Sequence, residues 1–255
     1  MIKVIINGIW GRMGQELARA LSSHDKFELV GGVDTRAGEW GAGIPVVSEG
    51  DKIIPKAEVV IDFSLPAGAL NILDSCVWNG KPLVTGTTGF ESGQLEKFRS
   101  AGAEIGIVQA FNFSIGINLL LQVVTQAARV LQGKSDIEIV ETHHRMKKDA
   151  PSGTALMLAQ KLAETLNRPP ENSLLFGRHG RQLQRLDEIG IHSVRGGSVV
   201  GEHQVLFLGE NENLTFSHQA LNRKIFVDGA LQAAEWIVRQ KPGLYSMQEV
   251  LGFSG

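Results

Sequence analysis

The sequence predicts an α/β chain in two parts: a doubly wound, mainly parallel sheet, and a smaller α+β unit with an open mixed sheet. Three observations carry this prediction. Short apolar runs alternate with helical runs in the first part, a glycine-rich turn follows the first apolar run, and the pattern changes near Asn112. Continuous apolar strands separated by helices are typical of parallel sheets that are covered on both faces.

The predicted elements of the first part follow one another largely in alternation. The strands are Ile2–Asn7, Phe27–Val33, Val59–Phe63, Leu83–Thr87 and Ile105–Ala110, and the helices are Arg12–Ser22, Pro66–Trp78 and Glu91–Ser100. Crossovers between parallel strands are right-handed, so a doubly wound open sheet is the natural closure.

The second part begins with a long helix and then turns to strands. We predict helices Ser114–Leu131 and Ser152–Leu166, strand Asp136–His144 between them, a polar loop over Asn167–Gly190, and strands Ser193–Val199, Gln204–Leu208 and Leu214–Gln219. The polar turn ENEN separates the last two strands, which therefore form an antiparallel hairpin. A final helix, Val227–Arg239, returns to the first part, so the predicted domains are 1–113 with 224–255, and 114–223.

Composition argues against several classes of protein. The 255 residues carry a formal net charge of −2, which gives no chain-wide basic balance for binding nucleic acid. Cys76, the single cysteine, excludes an internal disulfide and suits a reducing compartment. No apolar run approaches the roughly 18 residues that span a bilayer, the start does not read as a signal peptide, and no Cys/His spacing indicates a metal site. We therefore expect a cytoplasmic protein without a membrane or nucleic-acid partner.

A glycine-rich turn joins the first strand to the first helix. Residues 8–14 read GIWGRMG, a GxxGxxG spacing that lies after a strand and before a helix. Gly8 permits the tight bend, Gly11 lets the helix amino terminus approach a pyrophosphate, and Gly14 allows close packing of helix on strand. The turn therefore predicts a Rossmann-type dinucleotide-binding domain.

The end of the second strand carries both an acid and a base. Asp34 lies 20 residues after Gly14, where an acid can accept a hydrogen bond from the adenine ribose 2′-hydroxyl, and this favours NAD. Arg36 would instead pair with the 2′-phosphate of NADP. We therefore expect NADH or NADPH as the cofactor and leave the choice open.

Five basic or titratable side chains crowd into HHRMKK at residues 143–148, just ahead of a helix start at SGT. Histidine can transfer a proton near neutral pH, and Lys147 offers a fixed cation. Backbone N–H groups at Gly153 and Thr154 favour a carboxylate. The segment predicts a receptor for an acidic substrate that must also be protonated, and a solvated basic loop is the alternative.

Six motifs lie along the chain: GxxGRMG at residues 8–14, FSxP, GTTG, NFSIGIN at Asn112–Asn118, ETHHRMKKDAPSGTAL at Glu141–Leu156 and RGGSVVGEH at Arg195–His203. With these motifs the chain resembles the dihydrodipicolinate reductase family. The resemblance covers essentially the whole chain, in order. It implies an oxidoreductase that uses NADH or NADPH to reduce a cyclic dicarboxylate to tetrahydrodipicolinate in lysine and diaminopimelate synthesis, and usually a homotetramer joined through the sheet of the second domain.

The resemblance also implies roles for individual residues. His143 is the expected proton donor, and Lys147 is its partner. The residues expected to hold the substrate carboxylates, in a cleft between the domains, are His144, Gly153, Thr154 and Arg223. The residues expected to line the cofactor are Gly8, Gly11, Arg12, Met13, Asp34, Arg36, Gly86, Thr88, Ala110 and Phe113.

One residue departs from the family pattern, and two other functions stay open from the sequence. Where the family usually has a small or polar residue, this chain has Trp10, whose ring would either crowd the pyrophosphate or pack outward. A semialdehyde dehydrogenase on the same scaffold would need a catalytic cysteine, and Cys76 lies in an apolar helical run. A nucleotide-sensing regulator would not need a histidine–lysine pair directed at a second ligand.

Overall fold

Apolar runs early in the chain form most of an eight-stranded sheet, and a separate five-stranded sheet is built from the later part. The structure is a computed structural model that describes residues 1–41, 43–181 and 184–253. The chain divides into unit 1, which is Met1–Ile115 with Lys224–Gly255, and unit 2, which is Gly116–Arg223.

The structure has the following elements. The strands are β1 (Ile2–Asn7), β2 (Phe27–Val33), β3 (Gly38–Trp40), β4 (Ile44–Val47), β5 (Val59–Asp62), β6 (Leu83–Thr85), β7 (Gly106–Gln109), β8 (Ser135–His143), β9 (Leu174–Phe176), β10 (Ile189–Arg195), β11 (Gly201–Gly209), β12 (Asn213–Ala220) and β13 (Gly243–Tyr245). The α-helices are α1 (Arg12–Leu21), α2 (Pro66–Trp78), α3 (Ser92–Ala101), α4 (Ile115–Leu131), α5 (Gly153–Thr165), α6 (Pro170–Ser173), α7 (Lys224–Ile237) and α8 (Met247–Val250). In the described ranges, no helix is long and apolar enough to cross a membrane.

The sheet of unit 1 confirms the predicted doubly wound parallel fold. Its strand order is β13-β7-β6-β5-β1-β2-β4-β3, and neighbouring strands are parallel except for the pair β3 and β4. Apolar side chains of α1 and α7 pack on one face, and those of α2 and α3 pack on the other. The strand order reverses at β1, and the crevice beyond the carboxyl ends of β1 and β5 is therefore the place where such sheets bind ligands.

Three short strands at the edges of this sheet escaped prediction. β3 and β4 form a hairpin beside β2, and β13, which lies after Pro242, pairs with β7. Runs of three or four residues are too short to show a two-residue alternation. These short strands are stabilised by hydrogen bonds to a neighbouring strand, which a local sequence pattern does not reveal.

The sheet of unit 2 is open and mixed, as predicted. Its order is β12-β11-β8-β10-β9, with β8 and β10 parallel and β11 antiparallel to both of its neighbours. Helices α4 and α5 pack on one face against residues such as Ile139, Val205 and Phe207. Side chains on the opposite face, among them Val140 and Leu206, are half-buried.

The predicted strand Ser193–Val199 was wrong in position, because the strand observed there is β10, Ile189–Arg195. Glycine is uncommon inside strands, so Gly190 suggested a loop at this position. In the structure it lies within β10, where a Cβ would lie 1.9 Å from an oxygen of Glu138, so the glycine makes room for that carboxylate. The loop predicted over Asn167–Gly190 also contains α6 and β9, and residues 182 and 183 lie outside the described part of the chain.

Candidate active site

The glycine-rich turn has the geometry that its sequence predicts. Gly8 has a φ of +78°, and a Cβ there would lie 2.9 Å from the carbonyl oxygen of Phe63. A Cβ at Gly14 would lie 2.1 Å from the carbonyl oxygen of Gly8, which confirms that this glycine allows the helix to approach the turn. Gly11 is the N-cap residue of α1 and donates its N–H to the same oxygen at 3.0 Å. The glycines thus allow the tight turn and the close approach of the amino terminus of α1, whose backbone N–H groups favour an anion such as a pyrophosphate. Arg12 and Met13 are the first two residues of α1; Arg12 is exposed, and Met13 is half-buried.

Trp10 packs outward from this turn. Its indole Nε1 donates to the carbonyl oxygen of Arg36 at 2.8 Å, and the Arg36 guanidinium lies 5.2 Å from the centre of the indole ring. Its backbone N–H donates to Asp34 Oδ2 at 3.0 Å, and the other carboxylate oxygen accepts the N–H of Thr35 at 2.8 Å. The ring therefore lies against the segment that follows β2. The contacts also fix the Asp34 carboxylate at the end of β2.

A buried carboxylate that the sequence did not single out joins the ends of β1, β5 and β6. Asp62 is fully buried and is the last residue of β5. It accepts side-chain hydrogen bonds of 2.6–2.8 Å from Asn7 Nδ2, Ser64 Oγ, Thr85 Oγ1 and Thr87 Oγ1. The small polar residues of FSLP and GTTG are therefore partly occupied with fixing the strand ends.

The other residues expected around the cofactor lie at the same edge of this sheet, in different environments. Thr88 is exposed, and Ala110 directly follows β7 and is half-buried. A Cβ at Gly86 would lie 2.3 Å from the ring of Phe63, so glycine is required there by packing. Phe113 is 1% exposed and packs edge-to-face on Phe63. Its side chain belongs to the core of unit 1, which leaves its backbone for any contact with a ligand.

In unit 2, His143 ends strand β8 beside a buried carboxylate. Alternation along β8 places Glu141 and His143 on the helix-covered face, together with Ile137 and Ile139. His143 Nδ1 lies 2.5 Å from Glu141 Oε2. Arg195, the last residue of β10, donates to both oxygens of Glu141 at 2.8 and 2.7 Å.

These contacts shift the protonation of both groups. Burial alone would raise the pKa of the Glu141 carboxyl, but the hydrogen bonds that it accepts, led by those from Arg195, lower its pKa from 4.5 to about 2. Loss of solvent lowers the pKa of His143 below its ordinary 6.5, and Glu141 acts in the opposite direction. The positive charges of Lys147 and Arg195 add to the lowering. The imidazole is therefore poised between an anion and two cations.

The same carboxylate reaches the start of α5. Ser152 is the N-cap residue of α5: its N–H donates to Glu141 Oε1 at 3.1 Å, and its hydroxyl accepts the N–H of Ala155 at 3.2 Å. The Ser152 hydroxyl also lies 3.1 Å from His203 Nε2. His203 is buried on the helix-covered face of the sheet, and burial together with the charge of His143 lowers its pKa to about 3. Gly153, which follows Ser152, is exposed, and Thr154 is half-buried.

The remaining predicted residues gather near the same end of this sheet. His144 follows β8 directly and donates its N–H to the carbonyl oxygen of Val199 at 2.7 Å. Lys147 Nζ lies 2.9 Å from Asp149 Oδ2. Arg223 lies three residues beyond the end of β12, where Ala220 pairs with Gly201 of β11. Unit 2 thus brings His143, His144 and Lys147 together with the amino terminus of α5.

Cys76 has no exposed surface, and burial raises the pKa of its thiol. It lies in α2, within the core of unit 1. A thiol that is buried and protonated cannot serve as the nucleophile of a semialdehyde dehydrogenase. The structure therefore disfavours that alternative.

Comparison with known proteins agrees with the residue pattern. A family model described as "Dihydrodipicolinate reductase, N-terminus" matches residues 2–113, and one described as "Dihydrodipicolinate reductase, C-terminus" matches residues 116–251. The 4-hydroxy-tetrahydrodipicolinate reductase of Caldanaerobacter subterraneus subsp. tengcongensis is 44% identical over 252 residues, which cover 98% of each chain. The protein of the same name from Methanoregula boonei is 42% identical over 256 residues, which cover 99% of this chain and 98% of the relative.

Solved structures agree with this relationship. The dipicolinate-bound dihydrodipicolinate reductase from Paenisporosarcina sp. TG-14 is 30% identical, has a TM-score of 0.80 and covers 98% of both chains. Aspartate semialdehyde dehydrogenase II from Vibrio cholerae is 12% identical with a TM-score of 0.53 over 94% of this chain and 99% of that one, which shows a likeness of fold alone. From the two family models and the full-length relatives, the chain belongs to the dihydrodipicolinate reductase family.

Proposed function

We propose that the chain catalyses the 4-hydroxy-tetrahydrodipicolinate reductase reaction, in which a reduced nicotinamide nucleotide delivers a hydride to a cyclic dicarboxylate. The observation that carries the proposal is the pairing of His143 with a buried carboxylate beside the amino terminus of α5. This arrangement offers an acid and an anion-binding helix end at one place, which a dicarboxylate that must be protonated requires.

We assign cofactor binding to unit 1 and substrate binding to unit 2. The fit of a dinucleotide rests on the turn at Gly8, Gly11 and Gly14, where added Cβ atoms would lie within 3.1 Å of backbone atoms. Arg12, Met13, Gly86, Thr88, Ala110 and the Phe113 backbone complete the proposed cofactor set. His144, Arg223, Gly153 and Thr154 are the proposed clamps for the substrate carboxylates.

His143 supplies the proton in this proposal. The nicotinamide, when bound, supplies the hydride, which leaves negative charge on the substrate. The imidazolium then gives up its Nε2 proton, while Nδ1 keeps its hydrogen bond to Glu141. Lys147 lies close enough to lower the pKa of His143, and its positive charge stabilises the developing anion.

We further propose that NADH is the preferred nucleotide. Two backbone N–H groups hold the Asp34 carboxylate at the end of β2, where it can accept bonds from ribose hydroxyls and repels a 2′-phosphate. The Arg36 guanidinium, which could pair with that phosphate, lies over the Trp10 ring. We expect Asp34→Ala to shift the ratio of kcat/KM values towards NADPH and Arg36→Ala to shift it towards NADH. A wild-type preference for NADPH would contradict this choice.

The assembly proposed for the chain is a homotetramer joined through the open face of the sheet in unit 2. That face is not covered by α4 or α5, and its half-buried Val140 and Leu206 offer apolar surface. Light scattering of the purified chain measures the mass directly. A monomer at micromolar concentration would contradict the proposal.

The central test is a nicotinamide absorbance assay with the candidate substrate. We expect the purified chain to oxidise NADH or NADPH only when the dicarboxylate is present, and dipicolinate, which is bound in the Paenisporosarcina relative, to inhibit by competition. Binding of dipicolinate without any oxidation of either nucleotide would instead favour a sensor.

A further inference from the structure

We propose that Glu141 and Arg195 are positioning residues: Glu141 fixes the imidazole of His143 so that Nε2 is the nitrogen offered to the substrate, and Arg195 fixes Glu141. This inference rests on the proposed function, because it assigns a role in the proton transfer attributed to His143. Neither residue needs to touch the substrate for this role.

The carboxylate of Glu141 is held as a fixed anion. It is fully buried, yet it accepts two hydrogen bonds from Arg195, one from the N–H of Ser152 and one from His143 Nδ1. Ser193 of β10 also contributes a side-chain hydrogen bond that lowers the pKa of this carboxyl. The bidentate guanidinium sets the plane of the carboxylate, because its two N–H groups are rigidly parallel. The anion therefore has one orientation, and the Nδ1–H of His143 meets it at a defined position.

Arg195 is itself anchored by the sheet. It ends β10, which pairs in parallel with β8 so that Arg195 is the register partner of His143. Its guanidinium also donates to the carbonyl oxygen of Asp149 at 2.6 Å. The guanidinium therefore links the end of the sheet to the basic loop that carries Lys147.

The other ring nitrogen of His143 lies beside a position that has no side chain. A Cβ on Gly201 would lie 3.0 Å from His143 Nε2. With Nδ1 committed to Glu141, and with no side chain at Gly201 to cover Nε2, the geometry leaves Nε2 as the nitrogen that can transfer a proton. The Nε2–H bond breaks as the proton moves to the substrate anion, and the neutral ring retains its proton on Nδ1.

Several charged or titratable groups surround this ring and set the direction of each expected shift. Glu141 of β8 stabilises the imidazolium, whereas Arg195 of β10 and Lys147 of the loop destabilise it. His203 of β11 lies with its ring centre 5.2 Å away, and Lys147 is paired with Asp149. Removal of the anion and removal of the cation should therefore change the proton affinity of His143 in opposite directions.

The test uses Glu141→Gln, Arg195→Met and the double variant in the full-length protein. The matched control is Glu138→Gln, because Glu138 lies on the same strand and also bonds a histidine, His192, at 2.7 Å, but on the opposite face of the sheet. The measurements are kcat and KM as functions of pH, together with the protonation and tautomer of His143 by nitrogen-15 NMR, with His143→Gln used to assign its signals.

We expect Glu141→Gln to lower kcat by about tenfold or more, short of the roughly 10²–10⁴ for loss of a general acid, with little change in KM. Activity that needs the protonated imidazole is lost as pH rises, and this loss should move to lower pH in Glu141→Gln and to higher pH in Arg195→Met. The pH profile of the double variant should return towards that of the wild type. The pH profile of the control, Glu138→Gln, should equal that of the wild type. In the NMR spectra, the neutral wild-type ring should carry its proton on Nδ1, and Glu141→Gln should populate the Nε2–H form.

The two proposals fail in different ways. If the wild type turns over the dicarboxylate but Glu141→Gln changes neither the pH profile nor the tautomer, the positioning role is wrong and the function stands. If the wild type does not turn over but the tautomer responds as expected, the proposed function is wrong and the control of the ring by Glu141 stands. Shifts of the same sign in Glu141→Gln and Arg195→Met would indicate general damage and overturn the positioning role.

Discussion

Each of the two sheets has a fully buried carboxylate near the carboxyl end of one strand: Asp62 on β5 and Glu141 on β8. The two carboxylates are held in different ways. The donors described around Asp62 are neutral: an amide, hydroxyls and a backbone N–H. Glu141 is instead bound by a guanidinium and an imidazole. Neutral donors hold strand ends in place without responding to protonation near neutrality, whereas an imidazole gains or loses a charge there. The comparison separates a carboxylate that fixes structure from one that can also control chemistry.

The largest effect should come from the acid itself. We expect His143→Gln to lower kcat by about 10²–10⁴ with a modest change in KM, because it removes the group that we propose as the proton donor. Steady-state kinetics with saturating nucleotide measures this. Near-normal turnover would show that the chemistry does not reside at the end of β8, and the distinction between the two carboxylates would lose its basis.

Asp62→Ala should mainly reduce stability. We expect it to lower the free energy of unfolding by at least about 2 kcal/mol, because each buried donor left without an acceptor costs about 1–3 kcal/mol. Asp62→Asn is the matched control, since it keeps the shape and one acceptor oxygen and should cost less. Urea unfolding measures both variants, and an Asp62→Ala variant as stable as the wild type would contradict the structural role.

Gly201→Ala should reduce kcat with little loss of stability. The added methyl group would lie 3.0 Å from His143 Nε2, which is closer than a comfortable contact and would turn the ring from its position. Gly196→Ala is the control, because no atom lies within 4 Å of a Cβ built there. Equal kcat values for the two variants would show that Nε2 is not the reacting nitrogen.

A further effect should appear only in acid, outside the pH range in which the chain is expected to work. The pKa of Glu141 falls from 4.5 to about 2 on folding, so its contribution to stability is present above pH 4.5 and is lost as the pH falls towards 2. We expect the free energy of unfolding of Glu141→Gln to depend less steeply on pH across this window than that of the wild type. Identical slopes would indicate that the ion pair with Arg195 does not contribute.

Much of the scaffold was predictable because it depends on local pattern. The glycine spacing gave the turn, apolar runs gave the parallel strands of unit 1, and ENEN gave the hairpin. The short strands β3, β4 and β13 were missed because they depend on pairing with a distant strand, and local alternation cannot reveal that.

The candidate site was predictable in part. Its loop was evident from the concentration of charge, but the groups behind it were not identified. Alternation in SDIEIVETH already places Glu141 on the same face as Ile139 and His143, and this signal could have revealed the buried acid. Arg195 could not be found in that way, because it meets Glu141 through a parallel pairing between strands that are far apart in sequence, and the predicted strand began too late.

Ser152 is bonded through its backbone to Glu141 and through its hydroxyl to His203, and it is the residue from which α5 starts. The hydrogen bonds that hold Glu141 beside His143 and the N-cap of α5 therefore share one residue. From this connection we expect an anion bound at the amino terminus of α5 also to affect the position of the His143 ring. A substitution that changes the pKa of His143 through Glu141 should also disturb the Ser152 N-cap of α5. We therefore expect substitutions at these positions to occur together in related chains.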